Sequence, residues 1–288
     1  MIRKQVVLLF ALGLFTAGNA QAGFFDEVQK FVSPDTKEGK ILSGATQVLS
    51  SAKDMDYPTE LTIGESLALD SMQRFGKPVA KESLQQYVNL VGNAVAANSK
   101  RPSIPYRFAV LDSPVQNAFA VPGGVIFISK SLVGIMENEA ELAAVLAHEV
   151  GHVAGKHAIS TIRHTQFLSG VGTITAASMK GDRGKQYESM IGDMQTVLFD
   201  KGLDKGMEFE ADSAAMETLY RTGYDPRAMI TVLKKLQKIE ATSTKKGSWF
   251  STHPPLDERI ERLEAQLGKY PDAASLARVP QRFAKKVK

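Results

Sequence analysis

Two histidines and a glutamate carry the first chemical signal in this chain. It holds five histidines, and four of them fall between residues 148 and 164. In His148-Glu149-Val150-Gly151-His152, the i, i+4 spacing sets His148 and His152 one turn apart on one helical face, about 5–6 Å between Cβ atoms. Two imidazoles so placed can share one tetrahedral Zn²⁺. Glu149 is turned about 100° from His148 and does not compete as a ligand. It can still take a proton from an attacking water and pass it to a leaving amine.

A hydrolytic zinc site needs a third protein ligand and an open fourth position. There is no cysteine, so a transition metal must be held by His, Asp or Glu, and disulfides and thiolate sites are excluded. On a continuing helix His157 lies about 180° from His148. It is read, with His164, as an exposed or structural histidine. Glu208-Phe209-Glu210-Ala211-Asp212 offers the better candidate. Glu208 and Asp212 share a face, so Glu208 can complete the ligand set while Asp212 holds a ligand imidazole by its free N–H. Glu210 is turned about 200° from Glu208, so both cannot face the metal.

The motifs need a frame. Apolar spacing predicts helices over 59–75 and 81–98. Short strands follow over 106–111, 117–121 and 125–129, the last two joined as a hairpin by Pro122-Gly123-Gly124. Asn138 as N-cap and Glu141 three residues on open the motif helix, with Leu142, Val145, Leu146, Val150 and Val153 as its buried stripe. Further helices are expected over 207–220, 226–239 and 256–267. The order helices, hairpin, helices describes an α+β domain. The cationic tail with Arg282, Lys285, Lys286 and Lys288 reads as a solvated terminus.

Composition excludes other classes. The 288 residues are 43% hydrophobic and 23% charged, which is globular rather than disordered. Arg3 and Lys4, the apolar run Val6 to Leu14, and Ala20-Gln21-Ala22 form an export signal with cleavage expected after Ala22. With no cysteine, this reads as a periplasmic protein. The net charge of +4 falls to +2 without Arg3 and Lys4, too mild for a nucleic-acid partner. The expected divisions are a signal peptide at 1–22, an extension at 23–58 and a metallopeptidase domain at 59–288. The stretch 167–200 is read as a candidate lid over the cleft or a point of peripheral membrane contact.

Taken together, these segments resemble a known family. Asn117-Ala118-Phe119-Ala120-Val121-Pro122-Gly123-Gly124, Asn138-Glu139-Ala140-Glu141-Leu142, the two motifs above, Gly223-Tyr224-Asp225-Pro226, and Ser251-Thr252-His253-Pro254-Pro255 followed by Arg259 occur in the order found in the HtpX and CAAX-prenyl-protease family of zinc endopeptidases. The chain is most similar to its soluble periplasmic, BepA-, LoiP- and YcaL-like branch. It departs from the membrane branch in lacking transmembrane helices, and from BepA in having only about 20 residues after the last expected helix.

The resemblance implies a gluzincin: a mostly helical zincin-like domain with a small, mainly antiparallel sheet and an HExxH helix. It implies one Zn²⁺ per chain on His148, His152 and Glu208, with Glu149 as general base. It also implies that Asn117, Ala118, Phe119 and Ala120 bind substrate by strand addition. His253 is implied to lie near the metal, donating to an oxyanion or filling the open position at rest. Arg259 either clamps substrate or pairs with a helix acid. The implied activity is endopeptidase cleavage of unfolded or misassembled envelope proteins; the alternative is a holdase with latent proteolysis.

Overall fold

A computed structural model describes residues 55–168, 192–240, 253 and 256–287. The expected signal peptide, residues 23–54 of the expected extension and most of the expected lid lie outside them. Helices α1 (Tyr57–Phe75) and α2 (Glu82–Ala96) lead to strands β1 (Arg107–Leu111), β2 (Ala118–Val121) and β3 (Val125–Ser129). Then come α3 (Lys130–Gly134), α4 (Glu139–Ala154) and α5 (His157–Leu168), a π-helical turn at Thr196–Lys201, α6 (Lys205–Thr222), α7 (Arg227–Glu240), α8 (Leu256–Gln266) and α9 (Pro280–Val287). Because α1 starts at Tyr57, the expected boundary at 58–59 falls in its first turn.

The motif helix α4 is the centre of the core. Asn138 Oδ1 accepts from Glu141 N at 3.1 Å, and Glu141 Oε2 accepts from Glu137 N at 2.9 Å, so the cap satisfies amides that have no partner within the helix. The helix is buried on every side from Glu139 to Val153, not along one stripe, as befits a helix enclosed by neighbours. Small residues make this close packing feasible. A Cβ at Gly151 would stand 3.1 Å from the Ala211 carbonyl oxygen, so α6 approaches α4 at van der Waals distance there.

The strand order is β1-β3-β2, with β2 antiparallel and β1 parallel to β3. The sheet is therefore mixed; the Pro122-Gly123-Gly124 turn dictates only the β2–β3 pairing. The free side of β1 is closed by α2. Gln85 Oε1 accepts from Val110 N, and Gln85 Nε2 donates to Val110 O. Asn89 does the same for Phe108 N and O. Two side-chain amides one helical turn apart thus mimic a partner strand, leaving β2 as the sheet's other edge. The turn at its end is fixed by α1. Gly123 has φ 81° and donates to Glu60 Oε1, and a Cβ at Gly64 would strike the Pro122 carbonyl.

The C-terminus corrects the sequence reading. The tail is helix α9, anchored by fully buried Phe283. Arg282 pairs with Glu139 at the start of α4. Four cations near a chain end suggested solvation, but one apolar side chain and one buried acid outweigh that tendency. Glu139 also accepts from Tyr87 Oη at 2.7 Å and Tyr224 Oη at 2.6 Å, tying α2, the α6–α7 turn and α9 to α4. No described helix is long and apolar enough to cross a membrane.

Burial works to raise the Glu139 pKa, but hydrogen bonds from Arg282, Tyr224 and Tyr87 prevail and hold it below its ordinary 4.5. Its stabilisation is therefore full above that value and is lost as pH falls through the depressed one. Urea denaturation should show Glu139→Ala less stable by about 3 kcal/mol at pH 7, because the substitution leaves buried hydroxyls unpaired. The gap between parent and variant should narrow below pH 4.

Candidate metal centre

Three helices bring the candidate side chains together. The central helix α4 supplies His148, Glu149 and His152, α6 supplies Glu208 and Asp212, and α8 supplies Arg259. His253 precedes α8. Glu208 sits in the first turn of α6, whose N-cap is Asp204. Ligand atoms of His148, His152, Glu208 and His253 lie within 4.8 Å of one another, and all four residues are buried.

The donor set fits a zinc-like ion. His148 Nε2 and His152 Nε2 are 2.9 Å apart, and Glu208 oxygens lie 3.6 and 3.4 Å from them. Ligand atoms on a tetrahedral zinc stand roughly 3.3 Å apart. Both Glu208 oxygens are buried without a hydrogen bond among the described residues. Arg259 Nη1 lies 3.0 Å from Oε2 but donates to the His253 carbonyl. Such a carboxylate is expensive to bury unless a cation takes up its lone pairs.

Each imidazole is held from behind. Asp212 Oδ1 stands 2.9 Å from His148 Nδ1. His157 Nδ1 stands 2.9 Å from His152 Nδ1. Arg259 is wholly buried. Its Nε and Nη2 donate to the two Asp212 oxygens, both at 2.7 Å, and its Nη1 donates to the His253 carbonyl at 2.8 Å. Arg259 thus pairs with an acid of α6.

The charges follow this wiring. Burial would lower the His148 pKa, but the facing carboxylates of Asp212 and Glu208 prevail and raise it to about 9. His152 is pushed well down, by burial first and then by repulsion from His148 and its other basic neighbours. Burial alone would raise Asp212 and Glu208. Arg259 and His148 hold Asp212 low, and His253, His148 and Arg259 hold Glu208 low.

A cleft opens beside the cluster. Glu149, His152 and His253 line it, with Phe119 and Ala120 of β2 and Leu198 and Phe199 of the π-helical turn. His253 Nε2 is 3.7 Å from Glu149 Oε1. Asn117 and Ala118 are buried at the start of β2. His157 is the structural and not the exposed histidine of the two expectations, and it does not lie on a continuing helix. The chain turns at Lys156, φ 55°, and carries His157 back toward His152. Gly155 just after the motif was the available signal, since glycine so often ends a helix. The His164 side chain lies outside the described residues.

The sequence pattern of peptidase family M48 matches residues 82–267, about two thirds of the chain. The beta-barrel assembly-enhancing protease of Yersinia pestis is 30% identical over 260 residues, covering 82% of this chain and 53% of that protein. The mitochondrial metalloendopeptidase OMA1 of Schizosaccharomyces pombe is 29% identical over 185 residues, covering 63% and 52%. The beta-barrel assembly-enhancing protease of Escherichia coli is 28% identical over 185 residues, covering 62% and 37%. This chain therefore spans about half the length of such relatives, or less. It belongs to peptidase family M48.

The raised His148 pKa implies that a cation must displace a proton. Calorimetry at pH 7 in buffers of differing ionisation enthalpy should find about one proton released per zinc bound. Affinity should weaken about tenfold per unit as pH falls from 8 to 7, and His148→Ala should lose stoichiometric zinc.

Proposed function

From membership in peptidase family M48, we propose that this chain is a zinc-dependent endopeptidase acting on misfolded or unassembled envelope proteins. The observation that carries the reading is the buried convergence of His148, His152 and Glu208, with Glu149 beside them at the wall of an open cleft. Zinc held by those three residues, one per chain, would polarise the scissile carbonyl and acidify water. Glu149 takes the proton of the attacking water and delivers it to the amide nitrogen as the C–N bond breaks. Asp212 orients the His148 ring, and Arg259 offsets the charges of Asp212 and Glu208.

Substrate is taken as an added strand along Asn117, Ala118, Phe119 and Ala120. Two features support this. The β2 strand is a sheet edge beside the cluster, and α2 closes the opposite edge. Among the described residues that edge faces the same cleft as Glu149 and His152, which suits an added peptide strand.

His253 lies within the ligand cluster, which supports reading its ring as filling the open position at rest. Moved aside, its ring can donate to the oxyanion. The same placement favours a second reading, a holdase whose proteolysis is latent until His253 is displaced. Export through cleavage after Ala22 supports a periplasmic setting, and the printed name of the Yersinia pestis relative supports β-barrel clients. We assign 59–288 to the peptidase domain and infer no nucleic-acid partner.

The test is casein cleavage by the mature protein beside Glu149→Gln. The parent should cleave, and the variant should be slower by at least about 100-fold with unchanged zinc content. Equal cleavage by both would sink the assignment of Glu149. Protection of an unfolding client by both, with cleavage by neither, would establish the holdase reading.

A further inference from the structure

His148 and His152 are not supported alike. The Nδ1 of His148 faces a carboxylate, whereas the Nδ1 of His152 faces another histidine, His157, at 2.9 Å. Both rings of that second pair are buried. The Nε2 of His152 points into the ligand cluster, 3.4 Å from Glu208 Oε1. A neutral imidazole that gives Nε2 to a metal keeps its proton on Nδ1. His152 must therefore donate from Nδ1, and His157 must accept on its own Nδ1. That leaves the His157 proton on Nε2, which lies 3.4 Å from Glu210 Oε2.

The backbone is shaped to bring this about. Had α4 continued, His157 would face away from the site. Instead Lys156 adopts φ 55°, and α5 restarts at His157 with its ring folded back over Gly155. A Cβ at Gly155 would fall 2.3 Å from His157 Nε2. Position 155 therefore tolerates only glycine while the ring lies there. Left-handed backbone at a lysine is unfavourable and persists where surrounding structure enforces it.

We propose that His157, backed by Glu210, is a positioning residue that fixes the tautomer and angle of His152 for a metal ion. The inference rests on the reading of His148, His152 and Glu208 as a metal site. It assigns a role to a histidine just after the motif that is not a ligand, and to the acid of the α6 motif that faces away from the cluster.

The test measures metal rather than proteolysis, so failure of the peptidase reading would not obscure it. Zinc affinity is read by competition with a chromophoric chelator, and ligand geometry by the visible spectrum of the Co²⁺-substituted mature protein. His157→Ala should weaken zinc binding by 10- to 100-fold and shift the Co²⁺ bands. His157→Asn can present Oδ1 where Nδ1 now accepts, and should stay within a few-fold of the parent with its spectrum restored. Gly155→Ala displaces the ring without touching either histidine and should resemble His157→Ala. It also serves if His157→Ala does not fold.

Parental affinity and spectrum in His157→Ala would overturn the proposal. So would an Asn variant as weak as the Ala one, since packing volume rather than the hydrogen bond would then be the cause. A parent that binds no zinc would overturn the metal site and this inference together.

Discussion

The centre depends on one buried ion pair. Arg259 and Asp212 meet through two parallel hydrogen bonds, where both side chains are shut away from water. Neither charge could be buried alone. Together they make a rigid fork between α6 and α8, and the rest is hung on it. Asp212 turns His148, a third donor on Arg259 holds the backbone at His253, and the same guanidinium lies against Glu208. Arginine suits the place because its five donors are fixed in a plane. Lysine's three donors radiate from one nitrogen and could not match both oxygens of Asp212 in a plane while reaching the His253 carbonyl.

Local signals in the sequence were read well, and long-range ones were not. The His148/His152 spacing, the Asn138 cap and the Pro122-Gly123-Gly124 turn each act within a few residues, so their consequences can be worked out from the chain. Glu208 and Asp212 were legible because their i, i+4 spacing complements the histidine pair. The pairing of Arg259 with Asp212 spans 47 residues, and no periodicity announces it. The parallel partner of β3 was illegible for the same reason, since a hairpin says nothing of what joins its far side. Helix periodicity carries past Gly155 only on paper, because α4 ends there and turns His157 back; and the cationic composition of the tail conceals the one apolar residue, Phe283, that buries it.

The helix that carries the motif pays for its central position in side-chain size. At Gly151 it presents no side chain to Ala211 of α6, which lets α6 come close enough for Glu208 to join two imidazoles. Bulk at that position would part the helices and separate the ligands before it disturbed any of them chemically. The packing of α4 against α6 is thus a geometric condition on the metal site, set by residues that never touch it.

The amides of Gln85 and Asn89 have a bearing on how copies of this molecule meet. Growth of a β-aggregate needs two open edges on every unit, one to receive and one to offer. Here one edge is already occupied by the chain's own side chains. Two copies joined through β2 would exhaust the remaining edge of each and leave nothing for a third. Among the described residues this sheet thus offers one open edge per copy, so association through it closes at a pair.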